Sequence, residues 1–124
     1  VATVLIVDDE FGIAELLDAV LSDDGHTVAT AANGRQGLAR VAAHPPDLIF
    51  LDFMMPVMDG PAMLAALAGD PGTRAIPVVL MSSMPEETVR ERAAGHAAFL
   101  RKPFRLKQVR DLVATLVATR DGDG

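Results

Sequence analysis

The chain has 124 residues, half of them apolar, which suits one domain around a single sizeable core. With 17 acidic against 11 basic residues its formal charge is −6, which argues against nonspecific attraction to phosphate backbones, so nucleic acid is not read as a direct ligand. The absence of cysteine excludes disulfides and thiolate metal sites, and no stretch approaches the roughly 20 uninterrupted apolar residues of a membrane span.

The chain starts at Val1-Ala2-Thr3 with a strand-like run and no charged leader, so a soluble, cytoplasmic protein without membrane contact is expected. The missing initiator Met suggests a piece trimmed from something longer. The ending Asp121-Gly122-Asp123-Gly124 reads as a linker start or a frayed terminus, giving a domain over 1–119 and a tail over 120–124.

In chain order, an apolar run rich in β-branched residues at Thr3 to Val7 predicts the first strand, and Asp8-Asp9-Glu10 follows it. Ile13, Leu16, Leu17, Val20 and Leu21 then keep the spacing of one buried helical face until Asp23-Asp24-Gly25 ends it. A second strand at Thr27 to Ala31 leads to a helix over Gly34 to Ala43. The third strand, Asp47 to Leu51, runs into Asp52 and a turn marked by Met55-Pro56 and Asp59-Gly60, before a helix over Gly60 to Ala68. The fourth strand, Ile76 to Met81, is followed by Ser82-Ser83 and by a charged helix over Glu86 to Ala94, whose only large aliphatic residue is Val89. That segment is expected to be loosely anchored. A fifth strand over Ala97 to Leu100, then Lys102-Pro103, precede a last helix whose apolar face is Leu106, Val109, Leu112, Val113, Leu116 and Val117.

The runs Val4-Leu5-Ile6-Val7 and Leu48-Ile49-Phe50-Leu51 are apolar throughout, as strands covered on both faces must be. Five strands alternating with five helices therefore predict an α/β, doubly wound (βα)5 three-layer sandwich on a parallel sheet. Its ligands should sit outside the carboxyl ends of the strands.

Taken singly, the polar residues at those ends have ordinary explanations. Asp8, Asp9 and Glu10 suit a helix N-terminus, Ser82 and Ser83 a cap, and Lys102-Pro103 a turn. Together they describe a phosphoryl site. Carboxylates of Asp8, Asp9 and Asp52 in one pocket repel one another and call for a hard divalent cation, best Mg²⁺, while a hydroxyl and an ammonium supply a donor and a positive charge. His26, His44 and His96 lie scattered over predicted loops and do not form a transition-metal set.

The segments Val7-Asp8-Asp9-Glu10, Leu51-Asp52-Phe53-Met54-Met55-Pro56-Val57-Met58-Asp59-Gly60, Met81-Ser82-Ser83 and Phe99-Leu100-Arg101-Lys102-Pro103-Phe104 resemble, in order, the signatures of receiver domains of two-component response regulators. The resemblance spans nearly the whole chain and implies a flavodoxin-like fold with strand order 2-1-3-4-5. It also implies that Asp52 accepts a phosphoryl group from a phosphohistidine donor, a sensor histidine kinase or a histidine phosphotransfer protein. Mg²⁺ would be held by Asp9, the Asp52 carboxylate and the Met54 carbonyl, with Asp8 assisting through water. Lys102 and Ser82 would contact phosphoryl oxygens, and the Lys102-Pro103 bond would be cis. Ser82 and Phe99 would carry a switch to the face made by the fourth helix, fifth strand and fifth helix. Arg101, Arg105 and Arg110 make that end locally basic and suited to an acidic partner. An output domain, a separate effector or a phosphorylation-dependent homodimer would receive the signal.

On this reading the domain assists its own phosphorylation and dephosphorylation but is not an enzyme acting on others. Two alternatives differ. A phosphorylation-independent docking receiver is one, although every site residue is present. A phosphohydrolase with an aspartyl nucleophile is the other, and it would need a second carboxylate at position 54, which is Met. Met63 and Met81 read as core, whereas Met54 and Met84, two residues beyond Asp52 and Ser82, flank the path of water to the acyl phosphate in this family. Two thioethers there predict a long-lived phosphorylated state.

Overall fold

The computed structural model describes residues 2–122, and of residues 118–122 only the backbone. Its elements alternate as β1 (Thr3–Val7), α1 (Phe11–Asp23), β2 (Thr27–Ala31), α2 (Gly34–Ala43), β3 (Leu48–Asp52), α3 (Gly60–Ala68), β4 (Val78–Ser82), α4 (Glu86–Arg90), β5 (Ala98–Arg101) and α5 (Leu106–Gly122). All strand pairs are parallel, and the sheet order is β2-β1-β3-β4-β5, a flavodoxin-like arrangement.

Alternation along each strand feeds two separate cores. Leu5, Val7, Ile49, Leu51, Val78 and Leu80 meet Val41 of α2, Met63, Leu64 and Leu67 of α3, and Val89 of α4. On the opposite face Val4, Ile6, Leu48, Phe50, Val79, Met81 and Leu100 meet Ala14, Leu17 and Leu21 of α1 and Val109 and Val113 of α5. Every residue of β3 and β4 is buried, which explains the absence of polar alternation in those runs. Among the described residues no helix is long and apolar enough to cross a membrane.

Besides shifts of one or two residues in the bounds of β3, β4 and β5, three details depart from the expectation. The fourth helix stops at Arg90 rather than Ala94, because Val89 is its one buried residue and Gly95 turns the chain with φ of 93°. Arg110 does not contribute free positive charge to the α5 surface, since its guanidinium holds Asp24 through Nε at 2.9 Å and Nη2 at 3.3 Å. The backbone of residues 120–122 continues α5, and the remaining tail residues 123 and 124 lie outside the described residues.

The loop after β3 is held tightly. Asp59 caps α3 by accepting the Ala62 N–H at 2.9 Å, and the Gly60 N–H donates to the Phe53 carbonyl at 3.0 Å. A Cβ on Gly60 would sit 2.5 Å from the Asp52 carbonyl oxygen and 2.9 Å from the Phe53 Cα, both backbone atoms that cannot rotate away. Gly60→Ala should therefore push the end of β3 aside and destabilise the fold by about 2 kcal/mol. Urea unfolding checks this, and an unchanged midpoint would show that the loop yields more freely than its packing implies.

Candidate functional site

Strand register brings the polar residues to one edge. Val7 lies beside Leu51, Asp52 beside Met81, and Ser82 beside Arg101. The ladders continue one step further, with Asp8 N–H donating to the Ala31 carbonyl at 3.0 Å, Phe53 N–H to Met81 at 2.9 Å and Lys102 N–H to Ser82 at 2.9 Å. Asp8, Asp52, Ser82 and Lys102 thus emerge at the carboxyl ends of β1, β3, β4 and β5, where the topology switches direction between β1 and β3. The Lys102-Pro103 bond is cis, as the resemblance implies.

Lys102 is the centre of this group. Its Nζ donates to Asp8 Oδ2 at 3.0 Å, Glu10 Oε1 at 3.0 Å and Asp52 Oδ1 at 3.2 Å. The Asp8 side chain is fully buried, those of Asp52 and Lys102 are nearly so, and Glu10 is 58% exposed. Burial, together with the neighbouring charge of Asp8, pushes the Asp52 carboxyl up to about 7 in spite of the opposing pull of Lys102. For Lys102, burial alone would lower the pKa, but hydrogen bonds to Glu10 and Asp8 and the charge of Asp52 outweigh it and raise the ammonium to about 12. The cation therefore stays charged, and the carboxylate beside it holds its negative charge at some cost.

Around this pair lies a cleft of about 430 Å³ lined by Glu10, Ile13, Asp52, Met54, Ser82, Ser83, Lys102 and Pro103. Ser82 is buried, and its Oγ accepts the Met84 N–H at 3.0 Å, which leaves the hydroxyl proton available to a group in the cleft. Met54 is 65% exposed at its rim, whereas Met84 packs against the core and Met63 and Met81 are wholly buried. Phe99 is half-buried on β5 against the same core.

The acidic run after β1 does not act as a helix cap. Glu10 occupies the N-cap position of α1 without a side-chain cap bond, while its N–H donates to Asp8 Oδ1 at 2.8 Å. Asp9 stands apart: it is exposed and lines a neighbouring cleft with Phe11, Gln36 and Arg40, although its charge still helps to raise Asp52. Glu10 was not legible as a member of the site, because a local explanation for an acid before a helix was at hand; the only signal was a third carboxylate in a row.

Asp8, Glu10 and Asp52 each offer a carboxylate oxygen, all within 4.8 Å of one another. Three carboxylates against one ammonium leave excess negative charge at a buried spot, and an all-oxygen donor set of that kind fits a hard divalent cation. The raised pKa of Asp52 comes first from its burial and then from the charges of Asp8 and Asp9. An acidic acceptor, a fixed ammonium and a hydroxyl around a water-accessible cleft can receive an anionic electrophile such as a phosphoryl group.

Comparison with known proteins agrees with this geometry. Residues 4–114 match the family described as Response regulator receiver domain. The chain is similar to the response regulator PleD of Caulobacter vibrioides, 40% identical over 105 residues that make up 83% of this chain and 23% of that protein. It is also similar to the DNA-binding response regulator MtrA of Mycolicibacterium paratuberculosis, 32% identical over 108 residues covering 86% of this chain and 47% of that protein. It thus spans less than half the length of these relatives. Among solved structures, the signal receiver domain of a signal transduction histidine kinase from Syntrophus aciditrophicus superposes with a TM-score of 0.88 at 34% identity, covering 96% of this chain and 92% of that one. The chain belongs to the response regulator receiver domain family.

Proposed function

We propose that Asp52 is the phosphoacceptor of a two-component signalling pathway, and that residues 1–119 form the unit that carries this activity. The observation that supports it most is the Lys102 ammonium bridging Asp52 and Asp8 at the sheet edge beside the Ser82 hydroxyl. An Asp52 carboxylate oxygen forms the new bond to phosphorus as the P–N bond of a phosphohistidine breaks. The electron pair of that bond returns to the imidazole nitrogen, which takes up a proton. Lys102 and Ser82 neutralise and orient phosphoryl oxygens, and positioning rather than proton chemistry supplies the rate.

Mg²⁺ would be held by Asp9, Asp52 and the Met54 carbonyl with Asp8 assisting through water; Asp9 lines the neighbouring cleft in the structure and would have to turn toward Asp52 to join the Asp8 and Asp52 oxygens already gathered there. When bound, the ion offsets the charge of the phosphoryl group. The partners are a sensor histidine kinase or histidine phosphotransfer protein upstream and an output domain, effector or second copy downstream, in the cytoplasm. The domain itself makes no nucleic-acid contact on this reading, given its net charge of −6. The switch runs from Ser82 through Phe99 to the α4-β5-α5 face; the short α4, anchored by Val89 alone, gives that face little resistance to movement.

Acetyl phosphate with Mg²⁺ should add one phosphate to the intact protein, read by mass. The gain should vanish in Asp52→Asn and on chelation. Phosphate uptake that survives either change would contradict the assignment.

The charge balance makes a second prediction. A carboxyl whose folded pKa is raised from 3.8 to about 7 costs nothing below pH 4, and its cost grows between pH 4 and pH 7 and is complete above. The ammonium of Lys102, raised from 10.5 to about 12, stabilises the fold throughout that range and is lost only as pH rises through about 12. Metal-free protein should therefore lose stability relative to Asp52→Asn as pH rises from 4 to 8, by on the order of 2 kcal/mol. Paired urea titrations in chelator at pH 5 and pH 8 measure the difference. A gap that shrinks with pH would contradict it, and adding Mg²⁺ at pH 8 should narrow the gap.

The phosphorylated state is expected to be long-lived, because Met54 lines the cleft with an apolar side chain where a polar one could orient water. Met54→Asn should hasten the decay on the order of tenfold with no phosphatase present, whereas Met84, expected beside the same path, packs against the core instead and does not line the cleft. An unchanged or slower decay would place the control of water elsewhere.

A further inference from the structure

We propose that Glu10 is a placeholder for the phosphoryl group at Lys102: it holds the exposed donor of the ammonium in the resting state and, through its charge, discriminates against highly charged small donors. The inference rests on the reading of Asp52 as acceptor and names a residue that regulates access to it.

An ammonium has three N–H donors, and Lys102 places them on Asp8, Glu10 and Asp52. A phosphoryl oxygen that is to contact Lys102 must displace one of these acceptors. Asp8 is a poor candidate, because its side chain is fully buried and losing the ammonium would leave an unpaired charge out of water. Asp52 is the reacting group itself. Glu10 is 58% exposed, so its carboxylate can return to solvent with its hydration restored.

Local structure supports the assignment. At the N-cap position of α1 an acidic side chain would ordinarily turn back to the first-turn N–H groups. Glu10 makes no such bond and reaches across the cleft instead, to a lysine 92 residues further along the chain. Its own N–H is already satisfied by Asp8, which accepts from the same lysine, so backbone and side chain are both tied to this cluster. Glu10 also lines the cleft with Met54, Ser82 and Pro103, where an approaching anion passes beside its charge. Displacing it exchanges a carboxylate for a phosphoryl oxygen at the same ammonium, so that the one cation does not have to hold both anions.

The test uses the full chain with saturating Mg²⁺ and follows phosphate uptake by intact mass. Second-order rate constants are compared for wild type, Glu10→Ala and Glu10→Gln with two donors, the dianion acetyl phosphate and the less charged phosphoramidate. Glu10→Ala should react about threefold faster with acetyl phosphate than wild type does, with a smaller gain for phosphoramidate. Glu10→Gln keeps an acceptor oxygen without the charge and should fall between. The difference between donors should diminish as salt is raised. A purely structural role for Glu10 would change both donors alike. Equal effects on the two donors, or slower uptake in both variants, would overturn the proposal while leaving Asp52 as acceptor. Uptake absent in wild type, or persisting in Asp52→Asn, would overturn the underlying reading and this inference with it.

Discussion

One ammonium holds the functional end of this molecule together. Lys102 arrives at the end of β5 and bonds the carboxylates that leave β1 and β3, so that three parallel strands are tied by a single buried cation. The tie is strained electrostatically, since one positive charge faces Asp8, Glu10 and Asp52 with Asp9 close by. That imbalance is what makes the site receptive. Excess buried negative charge favours a bound cation, and the Asp52 carboxylate, the lysine and the hydroxyl of Ser82 lie together around the cleft.

The supporting structure is closely packed where the site needs it. β3 and β4 are buried throughout, and Gly60 lets α3 approach the last residues of β3 more closely than any side chain would allow. Close packing on this side contrasts with α4, a five-residue helix with one buried residue, held otherwise by the exposed Arg90–Glu86 pair and by Glu86 against the largely buried side chain of His96 at 3.5 Å. A change at Asp52 or Ser82 therefore has one compliant neighbour, and motion is expected to collect there.

Much of this was legible in the sequence, for identifiable reasons. Strands such as Leu48 to Leu51 announce two-sided burial by their lack of polar alternation, and the helical faces of α1 and α5 follow from spacing alone. Strand order came only with the family resemblance, because apolar runs carry no record of their neighbours. The start of α4 at Glu86 was read correctly and its end overestimated, since residues with good helix propensity continue past Arg90 although Val89 is the one buried residue of the helix. Arg110 was read as part of a basic surface because its partner, Asp24, is 86 residues away. Glu10 was left out of the carboxylate pocket for the converse reason: a local explanation was available, and the sequence does not show that Lys102 reaches it.

The central claim is that, of the three carboxylates gathered by Lys102, Asp52 alone is the nucleophile. Borohydride reduction tests this directly, because it converts an aspartyl phosphate to homoserine, and peptide mass spectrometry then reads the position. Protein phosphorylated in the presence of Mg²⁺ should yield homoserine at position 52 and leave Asp8 and Glu10 intact. Reduction product at either of those two residues, or none at position 52 in protein that carries phosphate, would contradict the account.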